Sequence, residues 1–184
     1  MIDDAVAYIR REVVNHLGVA DTDVIAGNVH ALKEDGAARG LYVSVVNLQE
    51  EATLRNTSHT VRLNGTVRYK EPPVHLNVYL LFAADFENYL ASLLRLSQTI
   101  ELFQSKRVFE ASNAAAGNPF PATLEKLIFD YHNLDMEQLN HLWGVLGGAY
   151  FPSAVYKVRL VRIQRDVSLA GPEITTIQVE THLR

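Results

Sequence analysis

The chain contains no cysteine, which excludes disulfide bonds and thiolate catalysis. Its 17 basic residues are scattered among 21 acidic ones, giving a net charge of −4, and Lys and Arg form no block of five or six. Binding to a phosphate backbone needs clustered Lys and Arg, so a nucleic-acid partner is disfavoured. No apolar run reaches the roughly 18 residues of a membrane span, and Asp3 and Asp4 replace the apolar core of a signal peptide. We therefore expect a cytoplasmic soluble domain without direct membrane insertion.

The common catalytic and ligand-binding motifs are also missing. The chain has no GxSxG, SxxK, GxGxxG or P-loop sequence. The acidic pair Glu50-Glu51 lies in a polar stretch, where solvated carboxylates are the usual finding. None of the histidines forms a zinc-type pair; they are His16, His30, His59, His75, His132, His141 and His182. We predict no enzyme, no cofactor and no metal, with a small metal-dependent or hydrolytic enzyme as the remote alternative.

Three segments have the apolar spacing typical of helices. Gly18 is well placed to end the first of them, because glycine adopts the left-handed conformation without strain. The second is about 20 residues long and follows Asp85, its predicted N-cap. The third begins at Asp135 and Gln138, which are spaced as a capping box, and carries Trp143. The apolar face of the first helix is formed by Ile2, Val6, Ile9, Val13 and Leu17.

Seven segments are predicted strands, and most of them alternate apolar and polar residues. They are Val24–Val29, Leu41–Leu48, Thr60–Tyr69 with a turn at Asn64-Gly65, Val74–Phe82, Thr123–His132, Val155–Ile163 and Ile174–Leu183. Residues 111–121 (ASNAAAGNPFP) predict an exposed, mobile loop, and the chain is expected to close with a hairpin over about residues 154–184. The pattern predicts one α+β domain over residues 1–184, a mixed and largely antiparallel sheet covered by about three helices.

The stretch Leu142–Leu160 (LWGVLGGAYFPSAVYKVRL) combines a helix end, a double glycine, a rigid turn and a strand. This combination is typical of a surface that contacts other proteins during assembly, and it contains no catalytic motif. Trp143 is expected in the core. Interface centres are enriched in aromatic residues and arginine, so we predict subunit contacts for Tyr150, Phe151, Pro152, Tyr156 and Arg159, with Arg162 and Arg165 nearby. A solvated strand face is the alternative for the three arginines.

The same stretch resembles the signature of the cap, or tail-terminator, proteins of extracellular contractile injection systems of the antifeeding-prophage type, which are phage-tail-like particles. Further segments are similar in the same order. They are Met1–Leu17 (MIDDAVAYIRREVVNHL), Val45–Asn56 (VVNLQEEATLRN), Pro72–Phe82 (PPVHLNVYLLF) and Tyr89–Phe109 (YLASLLRLSQTIELFQSKRVF).

The resemblance implies a phage tail-terminator-like fold and a structural role. Such proteins form a homohexameric ring that ends inner-tube and sheath polymerisation at the distal end of the particle. The implied partners are other copies of the chain, the inner-tube protein and the sheath protein. A phage-type neck or tail-completion protein is the alternative from the same class, and a monomeric binding module is a third.

Two further regions are predicted to contact partners. Arg55, Asn56, Pro72 and Pro73 lie in segments that carry the resemblance, yet they are polar or rigid, so we expect them at subunit contacts. The terminal strand has the polar composition of a sheet edge. We expect its residues Ile174, Ile177 and Val179 to pair with neighbouring or sheath subunits by β-augmentation.

Overall fold

A computed structural model describes residues 1–30, 39–51, 60–63, 66–70, 73–163 and 168–170. Within these residues there are three helices, and two short 3-10 turns at Asp21–Asp23 and Ala111–Asn113. The helices are α1 (Ile2–Leu17), α2 (Tyr89–Ser105) and α3 (Met136–Val145). The strands are β1 (Val24–Ala26), β2 (Gly40–Glu50), β3 (Thr60–Leu63), β4 (Thr66–Lys70), β5 (Val74–Asp85), β6 (Val108–Phe109), β7 (Leu127–Tyr131), β8 (Ser153–Ile163) and β9 (Ser168–Ala170).

Two sheets organise the described strands. The larger has the order β1-β2-β5-β8-β7-β6, and the smaller has the order β3-β4-β9. Only the β1–β2 pair is parallel among the described pairs. The long strands β2 and β5 carry irregularities between Val45 and Asn47 and between Leu76 and Val78, where extra residues bend and twist a sheet. This architecture confirms the prediction of an α+β fold with a mixed, largely antiparallel sheet.

Helices cover both faces of the large sheet, because its central strands alternate apolar residues on either side. The main core lies beneath α1 and α2 and is rich in aromatic rings. Phe103 of α2 stacks on Phe129 with ring centroids 4.3 Å apart and an interplanar angle of 3°. On the other face, α3 packs Trp143 against Tyr42, Leu81 and Val155. The expectation that Trp143 lies in the core is confirmed, since it is 4% exposed.

Helix α1 was correctly predicted, but its buried face is rotated from the expected one. Gly18 ends the helix in the left-handed conformation with φ of 60°, as the sequence indicated. Ile9, Val13 and Leu17 are buried. Ile2 and Val6 are only half-buried, whereas Ala5, Tyr8 and Glu12 are buried instead.

Several predicted boundaries were wrong. Asp85 ends β5, and the N-cap of α2 is Asn88, whose side chain accepts a hydrogen bond from the Ala91 N–H at 2.8 Å. The strand predicted over Thr123–His132 is only the short β7. The predicted hairpin over Thr60–Tyr69 is confirmed by the antiparallel β3–β4 pairing, in which Leu63 pairs with Thr66, while its predicted turn at Asn64-Gly65 lies outside the described residues. The predicted strand Ile174–Leu183 lies outside the described residues; where the chain is described, β8 pairs with β5 and β7, and β9 pairs with β4.

Residues 111–121 are anchored to the core by the Phe120 ring, which lies 5.0 Å from that of Tyr8, and by a buried polar side chain that the loop prediction missed. Asn118 is 0% exposed. Its Nδ2 donates to Glu12 Oε1 at 2.8 Å and to the Tyr8 carbonyl at 3.2 Å. Lys106 Nζ reaches the other Glu12 oxygen at 3.2 Å and the Asn113 carbonyl at 3.0 Å. The expectation of an exposed loop is therefore wrong for Asn118, because its amide completes a buried polar bridge to α1.

Gly40 is required where β2 begins beside β1. Its φ is 157°, and an added Cβ would overlap the Asp23 carbonyl oxygen. Gly40→Ala should therefore lower the free energy of unfolding by about 2 kcal/mol or more, measured by chemical denaturation. Gly144→Ala is the matched control. It has open space around the added methyl group and lies within α3, so it should raise stability by up to about 1 kcal/mol. Equal effects of the two changes would contradict this interpretation.

Candidate assembly surfaces

The chain turns sharply after α3, and this corner, residues 147–152, carries exposed and half-buried aromatic side chains. Asp135 and Gln138 form the predicted capping box at the start of α3. After the helix, Gly147 and Gly148 have φ of 104° and 84°, which glycine tolerates at least cost. The Gly148 N–H donates to the Trp143 carbonyl at 2.6 Å, so the chain turns back tightly on the helix end.

Within this corner, the predicted contact residues differ in accessibility. Tyr150 is 59% exposed, and its ring lies edge-on to Trp143 with centroids 5.8 Å apart. Phe151 is half-buried against the same ring. Pro152 is buried, and its carbonyl accepts a hydrogen bond from the Ala84 N–H at 2.9 Å. Tyr150 is therefore the residue of this turn that a partner could reach, while Pro152 ties the turn to the end of β5.

Tyr156 belongs to the core, which corrects its place among the predicted contact residues. It is 3% exposed and packs 4.9 Å from Phe103 and 5.8 Å from Phe82, measured between ring centroids. Burial raises the pKa of its hydroxyl to about 12. Because side chains alternate along β8, its neighbours Val155 and Lys157 lie on the opposite face. A partner protein has no access to the Tyr156 ring.

Arg159 is half-buried and joins a charged cluster across β7 and β8. Its Nε lies 2.6 Å from Asp130 Oδ2, and Arg107 binds the other carboxylate oxygen. Burial disfavours the charged form of Asp130, but the two guanidinium groups outweigh it and hold the pKa of this carboxyl below its usual range. Arg162 donates to Glu125 at 2.6 Å. Both arginines thus have acidic partners within the subunit.

The other predicted contact residues cannot be placed on a surface. Arg55, Asn56, Pro72, Ile174, Ile177 and Val179 lie outside the described residues, as does Arg165. Pro73 is described, directly before β5, and is half-buried. The contacts expected for these residues stay predictions.

The sequence did not indicate a groove that runs beside the β1–β2 edge of the large sheet. It has a volume of about 820 Å³ and is bounded by α1, β2 and the residue after α3, Leu146. Its apolar wall includes Val45, which is 41% exposed, together with the half-buried Ile2 and Val6. The sequence hint of this groove is the pair Ile2 and Val6. These apolar residues lie one turn or more before the buried centre of α1. We refer to this feature as the edge groove.

A second apolar feature lies on α2. Leu90 and Leu94 are 76% and 56% exposed and stand one helical turn apart. Ser97 and Glu101 continue the same exposed line at helical spacing. The sequence placed both leucines on the helix but could not show which side faces solvent. We refer to Leu90, Leu94, Ser97 and Glu101 as the outer stripe of α2.

The described residues contain no group of three or more His, Asp or Glu side chains arranged to hold a metal ion. The described helices include none that is long and apolar enough to cross a bilayer. The accessible features of the described structure include two apolar surfaces and an aromatic corner, which suit contacts between proteins.

Two solved structures share this fold. One is the PVC sheath/tube terminator of an extracellular contractile injection system in its extended state, with a TM-score of 0.65 and 13% identity. The match covers 100% of this chain and 64% of the terminator chain. The other is the tube-terminating cap of the anti-feeding prophage, with a TM-score of 0.65 and 14% identity over 95% of this chain and 59% of the cap chain. The chain thus spans less than two thirds of the length of both proteins.

Sequence comparison adds the family. No curated protein matches the chain significantly. The family model described as the Pvc16 N-terminal domain matches residues 4–176, which is nearly all of the sequence. The matched range includes α1 from its third residue onward, α2, α3 and every described strand. The chain therefore belongs to the Pvc16 N-terminal domain family.

Proposed function

We propose that this protein is a structural terminator of a contractile injection system, a cap that ends the inner tube and the sheath at the distal end of the particle. The observation that carries the proposal is the family match over residues 4–176. The fold agrees, since both solved structures are named as terminators or caps of such particles. The role is physical and needs no catalytic group.

The mechanism follows from how an open polymer grows. The end of a tube or sheath exposes contact surfaces that the next subunit layer would cover. A ring that matches this end on one side, and presents no copy of it on the other, stops growth. Head-to-tail contacts that close by rotation produce such rings. We propose a homohexamer, assembled in the cytoplasm with the inner-tube and sheath proteins as its partners.

Tube growth in the presence of the chain tests this function. Purified inner-tube protein would be allowed to polymerise with and without the chain, and tube lengths would be measured by negative-stain electron microscopy. A cap should shorten the mean tube length as its molar ratio to tube protein rises, since each bound ring stops one end. Tubes of unchanged length at every ratio would contradict the proposal. Heat-unfolded chain is the control for non-specific effects.

The terminal segment is proposed to provide part of the contact with neighbouring or sheath subunits. Ile174, Ile177 and Val179 belong to a segment whose polar composition suits a sheet edge, and main-chain pairing gives such edges affinity for an added strand. Removing the residues after Pro172 should abolish capping. Circular dichroism would check that the shortened chain remains folded. If it folds and still yields tubes of uniform, reduced length, the terminal segment is not needed.

A further inference from the structure

We propose that the outer stripe of α2 in one copy of the chain binds in the edge groove of the next copy, and that this contact builds the ring. The inference rests on the proposed terminator function for its biological meaning. A head-to-tail ring requires two different surfaces on each subunit that fit one another. Two such surfaces are the convex apolar outer stripe of α2 and the concave apolar edge groove beside β2.

The outer stripe has the form of a helix that docks into a groove. Leu90 and Leu94 project one turn apart, as anchoring residues do when an amphipathic helix lies in an apolar groove. Together the two leucines place exposed apolar side chains on one face of α2, where a partner could cover them. No packing within the described subunit explains why the exposed positions of α2 carry leucine.

Charge complementarity selects a second copy as the occupant. Glu87 and Glu101 flank the two leucines, are exposed and form no ion pair with the described part of the chain. At the groove, Arg11 is exposed; Asp21 forms its direct ion pair with Arg10, and the charge of Arg11 acts on this carboxylate only at longer range, as the smaller contribution to its lowered pKa. The other charges that line the groove are already balanced. Arg10 pairs with Asp21 at 2.6 Å, and Asp3 lies 2.5 Å from the N-terminal ammonium group.

Docking would therefore bring the exposed acids that flank the outer stripe towards the exposed Arg11. It would also cover Val45, Ile2 and Val6 with the leucines. Opposite charges at the rim of an interface set the register and the choice of partner, while the buried apolar contact supplies most of the affinity. The outer stripe and the edge groove belong to the same chain. Each subunit of a ring can therefore bind one neighbour through its outer stripe and the other through its edge groove.

Cysteine cross-linking tests this pairing cleanly, because the chain has no cysteine of its own. Leu94→Cys and Val45→Cys would be made separately, mixed, and treated with a short bis-maleimide linker, which tolerates more separation than a disulfide does. The mixture should give a covalent dimer, whereas each variant alone should not. The double variant should give a ladder of bands that ends at the number of subunits in the ring. Met136→Cys, at a residue 82% exposed and outside the groove, replaces Leu94→Cys in the control.

A charge exchange provides the second measurement. Arg11→Glu should raise the concentration at which the oligomer dissociates by about tenfold or more, and Glu87→Arg with Glu101→Arg in the same chain should restore it.

Oligomers that form without the Leu94–Val45 cross-link would overturn the pairing. Cross-linking of Val45→Cys to Ile177→Cys in place of Leu94→Cys would assign the groove to the terminal segment. A chain that stays monomeric at all concentrations but still shortens tubes would overturn this contact and leave the terminator function standing.

Discussion

Phe103→Ala is expected to lower the free energy of unfolding by about 3–5 kcal/mol, the range for removal of a buried aromatic ring. Phe103 is 3% exposed. Its ring stacks on Phe129 and lies 5.2 Å from Phe82 and 4.9 Å from Tyr156. The rings come from α2, β5, β7 and β8, so the cavity would lie where the helix meets three strands of the sheet. Rigid strands cannot collapse into it, which places the cost at the upper part of the range.

Thermal and urea unfolding would measure this effect. For a chain of this size, a loss of 3–5 kcal/mol corresponds to a fall in Tm of about 6–20 °C. Met136→Ala provides the control, because this side chain is 82% exposed and its removal should change stability by no more than about 0.5 kcal/mol. A loss below about 1 kcal/mol for Phe103→Ala would show that the aromatic cluster is not packed as described.

Glu12→Ala is expected to cost about 2–4 kcal/mol, because it breaks a buried polar bridge. The carboxylate is the hydrogen-bond partner of the Asn118 amide, and Asn118 is fully buried. Without Glu12, one Asn118 N–H loses its better acceptor while it stays away from water. The ion pair with Lys106 adds little, since that ammonium is 27% exposed and is screened by solvent.

Glu12→Gln separates these contributions. Glutamine keeps an oxygen that can accept from Asn118 but loses the charge opposite Lys106, so it should cost only about 1 kcal/mol. Hydrogen exchange gives a local readout. Glu12→Ala should accelerate exchange of amides in the Ala111–Phe120 region, including Asn118, whose N–H donates to the Ala115 carbonyl at 2.9 Å. Equal losses for the two variants, with unchanged exchange in this region, would contradict the bridge.

Local patterns in the sequence predicted much of the fold. The spacing of Ile9, Val13 and Leu17 indicated the buried part of α1, and the Asp135–Gln138 pair marked the start of α3. Alternation identified β5 and β8, the central strands of the large sheet. These features depend on residues a few positions apart, so the period of the pattern is enough to recognise them.

Features that depend on distant contacts were not predictable. Tyr150 and Tyr156 are six residues apart in similar apolar surroundings, yet one is on the surface and the other in the core. That difference arises from the turn at Gly147-Gly148 and from which face of β8 meets α2. Asn118 has a polar side chain in a loop, and its burial depends on Glu12, more than 100 residues away in sequence. The edge groove and the outer stripe of α2 likewise exist only once helices and strands have packed.

The surfaces described above could divide two tasks of a terminator between them, ring formation and contact with the tube or sheath. The Pvc16 N-terminal domain match over residues 4–176 covers α2 and most of α1 and of the edge-groove lining. Tyr150, in the corner after α3, does not line the edge groove, so a ring built through α2 and β2 leaves this residue available for a second partner. We propose that this corner contacts the tube or sheath, with Tyr150 as its accessible aromatic residue.

The most direct test of the cap is where the chain binds on a tube. A single gold label, attached through Met136→Cys on the otherwise cysteine-free chain, would be imaged on polymerised inner tubes by electron microscopy. Labels are expected only at tube ends, at one end of each tube, with none along the wall. Labels distributed along the tube, or tubes with no label at either end, would contradict the assignment of this protein as a terminator.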